Sequence, residues 1–438
     1  MSRYRELAAQ VIAGRRWIVA MDVAQPTAKF CAALMDLGAE DVLGIATGMG
    51  TGPMPVWPEE KLVVMNHRFT TIMGGIRGSQ AAMQALPAEV LARIEAFDPN
   101  GEACFLRPFF GDGRPIAGRR VWGARPEAWQ ALEDKVVIDA FWKQAGIAHA
   151  EFAVVPVAEA RAAASALDRG EGTVWAGDAR EGFNGGATYT RWIRTAEHAE
   201  QATAWFGEHC ELVRVMPFLD GLPCSIHGLV APGDDHLVAI RPMEMMVLRG
   251  PQGFVYGGAA HVWEPAPAVR DAMRETARKA AAELRARYDY RGAFTLDGVL
   301  TRDGFLPTEL NPRMGAALKP CDTPEVPLTL LVYAMIEGAE LDWQMKDLER
   351  VLLTSIAEPR PVYCGFPLTA AVAEERSLEL DGVTVHYGPA PNGSYLRIIF
   401  DETAARGPSL APRVARVVQQ ASAAWGLNLG PLEPAPAF

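Results

Sequence analysis

Along the first 125 residues, short apolar runs alternate with stretches in which apolar residues recur every three or four positions. The runs are Trp17-Ile18-Val19-Ala20, Val42-Leu43-Gly44-Ile45, Leu62-Val63-Val64-Met65 and Cys104-Phe105-Leu106, and the periodic stretches cover 26–37 and 78–96. Compact apolar runs suit buried strands and the longer period suits amphipathic helices, so this region is predicted to be a small parallel α/β domain. From 126 the pattern changes. A helix signal covers 126–145 and stops at Gly146, followed by strand-like Glu151-Phe152-Ala153-Val154-Val155 and an Ala-rich helix over 157–168. Strand-like stretches at 173–177, 212–230 and 239–244 precede a helix over 266–288, which delivers the chain to an alternating segment at 296–313. Beyond 346, strands are predicted at 362–364, 384–387 and 396–400, and a helix over 411–425. The predicted class is α/β and α+β multidomain, divided at 1–125, 126–345 and 346–438.

The alternating segment carries the most chemistry. It reads as two strands joined by the three-residue loop Arg302-Asp303-Gly304, with Gly taking the left-handed position that other residues avoid. Closing the hairpin there sets Thr301 opposite Phe305 and Asp297 opposite Glu309. The period of two then puts Asn311 on the same face, with Arg313 just beyond. Two carboxylates and an amide oxygen are hard ligands that suit Mg²⁺, whose shell is usually completed by substrate phosphates.

Asp297 followed by Glu309-Leu310-Asn311-Pro312-Arg313 resembles the metal-binding hairpin of the ATP-grasp superfamily. That resemblance implies ATP and Mg²⁺ as cofactors, with Asp297, Glu309 and Asn311 as metal ligands. It extends across 126–345, where the order of elements is similar: a linker helix with Lys135, a Gly-rich loop, a hinge, a strand with Arg241 and the metal hairpin. The implied fold is ATP-grasp, with a lid at about 130–215 and a metal and nucleotide half at about 216–345. An N-terminal parallel α/β domain and a small C-terminal α+β domain flank it. In the Gly-rich stretch after Thr173-Val174-Trp175-Ala176-Gly177, Gly185 and Gly186 would let backbone N–H groups approach phosphates, although Asn184-Gly185 is also a plain turn signal. The hinge resemblance falls on Met216-Pro217-Phe218-Leu219: the Pro217 carbonyl and Leu219 N–H would meet adenine, between Met216 and Phe218 as apolar walls. Lys135 would approach the phosphates. Arg241 and Arg313 would hold the substrate carboxylate and the migrating phosphoryl group through planar, paired donors.

The chain departs from the family pattern at two places. Most members carry a second lysine on the strand before the Gly-rich loop, whereas Val174-Trp175-Ala176-Gly177 has no cation; Arg180 and Arg191 are the alternatives. The carboxylate that usually meets the ribose, near Pro223 here, is missing, and Asp220 is the nearest substitute.

Composition narrows the partners. A formal net charge of −11 with no Lys/Arg block argues against nucleic acid. The 6 cysteines are scattered without Cys-x-x-Cys and the 8 histidines show no metal spacing, which fits reduced thiols in the cytoplasm. The opening Met1-Ser2-Arg3-Tyr4-Arg5-Glu6 lacks a signal-peptide core, and the apolar run at 328–336 is too short for a bilayer. No membrane partner is predicted. Gly48-Met49-Gly50-Thr51-Gly52-Pro53 invites a dinucleotide reading, but Pro53, Pro55 and Pro58 follow it instead of a helix, so it is read as a cleft-lining loop.

The three-region layout and the lysine-free Trp175-Ala176-Gly177-Asp178 stretch resemble the pheganomycin-type peptide ligases, bacterial enzymes that join a carboxylic acid to the amino group of a peptide. That resemblance implies acid activation as an acyl phosphate in peptide natural-product biosynthesis, with carboxylic acid and peptide substrates. Alternatives are a ligase for a free amino acid or small amine, and a non-catalytic ATP-binding module. The regions outside the core would bind the peptide, or else stabilise the chain or form a homodimer.

Overall fold

The computed structural model describes residues 2–50, 56–69, 72–107, 113–182, 185, 187–250, 253–368, 372–390, 393–405, 409–427 and 432–435. Near the N-terminus, five parallel strands lie in the order Leu62–Val64, Asp41–Gly48, Arg16–Val23, Cys104–Leu106, Val121–Trp122. Alternate residues of the central strand face different cores: Trp17 and Val19 one way, Ile18 and Ala20 the other. Helices cover both faces of such a sheet, which is why these strands read as unbroken apolar runs. The periodic stretch at 78–96 is two helices, Ile72–Gln84 and Ala88–Phe97, because Pro87 cannot continue the first and starts the second.

The middle of the chain builds two antiparallel sheets. The larger holds Phe254–Ala260, Met243–Arg249, Leu222–Val230, Gly292–Thr301 and Gly304–Asn311 in that order. One of its faces packs on helix Pro267–Tyr288, whose Met273, Ala277, Ala280, Ala281 and Leu284 share a core with Ile226, Phe294 and Leu296. That spacing is a single helical stripe. The smaller sheet orders Ala153–Pro156, Leu212–Pro217, Thr173–Gly177 and Thr190–Ile193, with its outer face backed by Leu167, Phe206 and their neighbours. Toward the C-terminus, Val362–Leu368, Gly393–Phe400, Val383–Ala390 and Arg376–Leu380 form a further antiparallel sheet under helix Ala411–Trp425. Met246, Leu248 and Ala260 of the larger sheet belong to that core. The buried Glu244 carboxylate accepts the Leu410 and Ala411 N–H groups at 2.8 and 3.0 Å, holding the start of the last helix.

Two local expectations are corrected. The helix expected over 126–145 is broken into Glu127–Gln130, a 3₁₀ turn at Ala131–Glu133, and Ile138–Gln144. Asp134 breaks it: its carboxylate accepts Val136 N–H and, from the stretch after strand Thr173–Gly177, Ala179 N–H, both at 3.1 Å. Lys135 therefore sits in a turn. In the hairpin, Thr301 pairs with Gly304 and Leu300 with Phe305, one residue off the expected register. A bulge between Asp297 and Gly298 on one strand and Pro307 and Glu309 on the other restores Asp297 opposite Glu309. Proline has no N–H for the ladder, and bulges are where sheets admit it.

The bulge brings strands unusually close. A Cβ on Gly298 would lie 2.4 Å from the Leu306 carbonyl oxygen and 2.7 Å from Pro307 Cα, both backbone atoms. Gly298→Ala is expected to destabilise the chain by about 2 kcal/mol, measurable as a lower denaturant midpoint. An unchanged midpoint would show that the bulge yields freely.

Candidate active site

A cleft of about 390 Å³ opens between the two middle sheets. Strand alternation explains its lining. On Leu222–Val230, Cys224 and Ile226 enter the core while Pro223, Ser225 and His227 face the cleft; on Gly292–Thr301, Leu296 is core while Thr295, Asp297 and Val299 face the cleft. Val174, Ala176, Arg214 and Met216 come from the smaller sheet, whose alternate Trp175, Val213 and Val215 are buried behind it.

At one end the hairpin brings its polar groups together. Asn311 Nδ2 donates to Asp297 Oδ2 at 2.9 Å, and Arg313 Nη2 donates to Asn311 Oδ1 at 2.8 Å. Lys135 Nζ lies 3.1 Å from Glu309 Oε2. Burial lifts the Asp297 carboxyl to about 7, the Glu309 charge adds to the rise, and Arg313 and Lys135 oppose it. Two adjacent carboxylates with an amide oxygen match the donor chemistry of Mg²⁺. Among the described residues no three His, Cys, Asp or Glu side chains are placed to hold a metal ion, so such an ion would rely on Asn311 and on ligand phosphates.

The other end is apolar. Met216, Phe218 and Leu219 line it, and Phe218 stacks on Trp192 with centroids 4.3 Å apart and planes 15° apart. The Phe218 N–H donates to Gly172 carbonyl at 3.0 Å, while the Leu219 N–H makes no hydrogen bond among the described residues. Pro217 closes its strand opposite Thr173. Gly185 lines the cleft; Gly186 lies outside the described residues, as do 51–55 of the glycine- and proline-rich stretch at 48–58.

Other residues singled out in the sequence do not border the cleft. Arg241 binds the Trp263 carbonyl at 2.8 Å and pairs with Glu264 at 2.6 Å. Arg180 donates to the Glu208 carbonyl at 2.9 Å, and Arg191 lies over the Trp205 ring, 4.3 Å from its centroid. Asp220 is engaged by Arg249 at 2.8 Å; Arg249 itself lines the cleft and lies over Phe218. The sequence reading missed Ser225, His227, Thr295 and Arg214, although the first three show the same polar alternation as the hairpin. Burial holds the His227 imidazole down at about 3, so it is neutral, and its Nδ1 has no partner among the described residues.

Behind Arg313 lies a second, small cavity of about 30 Å³ bordered by Arg107, Arg125 and Arg313. Glu133 binds Arg125 and, at 3.5 Å, Arg313 Nε. Burial opposes ionisation of Glu133, yet the two guanidinium groups keep its carboxyl below the usual range. Arg107 and Arg125 are themselves buried, the first just past strand Cys104–Leu106 of the parallel sheet.

No protein-family model matches the chain, and no curated protein matches it. Solved structures do. A biotin carboxylase from Campylobacter jejuni, as a beta-gamma-ATP complex, is 13% identical with a TM-score of 0.57, over 89% of this chain and 88% of its own. A carboxyaminoimidazole ribonucleotide synthase from Aspergillus clavatus complexed with ATP is 11% identical with a TM-score of 0.52, over 92% and 98%. An N5-carboxyaminoimidazole synthase from the same organism, with ADP and 5-aminoimidazole ribonucleotide, is 11% identical with a TM-score of 0.53, over 93% and 97%. Likeness at these identities concerns the fold, and the fold is ATP-grasp.

Proposed function

We propose that this chain is an ATP- and Mg²⁺-dependent ligase that activates a carboxylic acid and joins it to the amino group of a peptide. One observation carries the reading. Asp297, Glu309, Asn311, Lys135 and Arg313 converge at one end of a cleft whose other end is apolar and aromatic, a shape that suits the phosphates and base of a nucleotide. The structural neighbours crystallised with ATP or ADP support it.

A carboxylate resists attack by an amine because its charge repels the nucleophile and an oxide ion cannot leave. Attack of the carboxylate oxygen on the γ-phosphorus of ATP expels ADP and leaves an acyl phosphate. The deprotonated amine then attacks the acyl carbon, phosphate departs and an amide remains. Phosphoryl transfer of this kind needs positioning and charge neutralisation more than covalent help. Mg²⁺ on Asp297, Glu309 and Asn311 would supply neutralisation at the terminal phosphates. Lys135, tied to Glu309, holds a cation at the same end. Arg313 lines both the cleft and the cavity bordered by Arg107 and Arg125, which supports a role in holding the acid carboxylate beside the phosphate to be transferred. Arg241, paired with Glu264 away from the cleft, takes no part in this scheme.

The peptide acceptor is assigned to the regions outside the nucleotide cleft, where Arg107 follows the C-terminal end of the parallel strand Cys104–Leu106. Comparing a free amino acid with its dipeptide and tripeptide as acceptors tests it. The tripeptide is expected to exceed the free amino acid by about tenfold or more in kcat/KM, through binding energy remote from the reacting amine. A free amino acid with the highest kcat/KM would replace the peptide by a small amine.

A further inference from the structure

We propose that Arg214 is the phosphate-binding cation of the lid, taking the place of the lysine missing from the preceding lid strand, with Asp139 as its positioning residue. The inference rests on the nucleotide reading above.

The lid strand before the Gly-rich stretch, Thr173–Gly177, offers no charge to the cleft: Val174 and Ala176 are the side chains that face it. Its neighbour in the sheet does. Ala176 pairs with Arg214 and Val174 with Met216, so Arg214 stands directly across the ladder from the small Ala176 side chain. Directly opposed side chains share one face, and alanine leaves the space above it to the longer residue. Arg214 lines the same cleft as Lys135, Asp297 and Glu309, and it lies two residues before Met216 on the strand that continues into the apolar end.

The guanidinium is only 2% exposed, as is its partner. Asp139, on helix Ile138–Gln144, accepts from Arg214 Nε and Nη2, each at 2.6 Å. That fork-to-fork pair fixes the plane of the guanidinium. The third nitrogen, Nη1, reaches the Met216 sulfur at 3.0 Å, and a thioether is a weak acceptor. Of the five N–H donors of an arginine, two then have no partner among the described residues. A buried guanidinium with unused donors beside a weakly accepting sulfur, in a ligand-sized cleft, is prepared for an anion. A purely structural ion pair has no need of the cleft. The two alternatives from the sequence, Arg180 and Arg191, are committed elsewhere, to the Glu208 carbonyl and the Trp205 ring.

Removing Arg214 alone would strand a buried Asp139 charge and confuse folding with binding. The test therefore uses the full chain carrying Asp139→Leu and Arg214→Met together, since apolar replacement of both partners of a buried pair is often tolerated. Arg214→Lys, which keeps the charge but not the fork, is the second variant. Titration calorimetry with Mg²⁺ gives the Kd of each protein for ADP and for adenosine, and an unfolding curve checks the fold. The double variant is expected to bind ADP about tenfold or more weakly, with adenosine affinity unchanged. Arg214→Lys is expected to fall between parent and double variant, because one ammonium cannot serve both carboxylate and phosphate. Unchanged ADP affinity in both variants would overturn the proposal. Equal weakening of ADP and adenosine would also overturn it, showing that Arg214 only shapes the lid. If the parent binds neither ligand, the nucleotide reading fails first and this inference with it.

Discussion

Glu309→Gln is expected to lower turnover by about three orders of magnitude while the protein stays folded. The change keeps shape and removes the charge that a divalent ion requires. Weakening of the Lys135 contact at 3.1 Å is offset in the fold, because Glu309 also repels the half-buried Asp297 carboxylate and that repulsion disappears. The measurement is the rate of ADP release at saturating ATP and Mg²⁺, with an unfolding curve for both proteins. Near-parental turnover would remove Glu309 from the metal site. Asp297→Asn should be comparably severe. Asp303→Asn, in the exposed turn of the same hairpin, should be mild.

Arg313→Lys is expected to cost about a hundredfold in kcat/KM for the acid substrate. Arg313 holds Asn311 Oδ1 through Nη2 at 2.8 Å and Glu133 through Nε at 3.5 Å, two directions that a single ammonium cannot reproduce. Asn311 would lose the donor that orients its amide, and the small arginine-lined cavity would lose one wall. Steady-state kinetics with acid and ATP varied separately read this out. A defect confined to KM for ATP would move Arg313 from the acid to the nucleotide.

The convergence of Asp297, Glu309 and Asn311 follows from the sequence only through a register one residue off at the turn, an offset that the bulge at Pro307 cancels. The bulge that makes the true register work was not read, although Pro307 marks it: a residue without an N–H, in a strand, signals a break in the ladder. Ser225, His227 and Thr295 were equally legible as polar positions between core residues. Arg214 was hidden for a different reason. Its meaning depends on pairing with Ala176 and Asp139, residues far away in the chain, and no local pattern reports a cross-strand neighbour. The gathering of Arg107 and Arg125 behind Arg313 is likewise a product of long-range packing. Propensity alone puts Lys135 on a continuous helix, because it cannot see Asp134 reaching across to the Ala179 N–H.

If the cleft uses ATP to turn a carboxylic acid into an acyl phosphate, the nucleotide products will show it. The full chain is incubated with ATP, Mg²⁺ and pools of carboxylic acids and amines or peptides, and nucleotides and new masses are read together. ADP and inorganic phosphate are expected in equal amounts, matched by a product whose mass is the sum of acid and amine less one water. AMP and pyrophosphate accompanying that product would contradict it, as would an ATP pool left intact with every acid supplied.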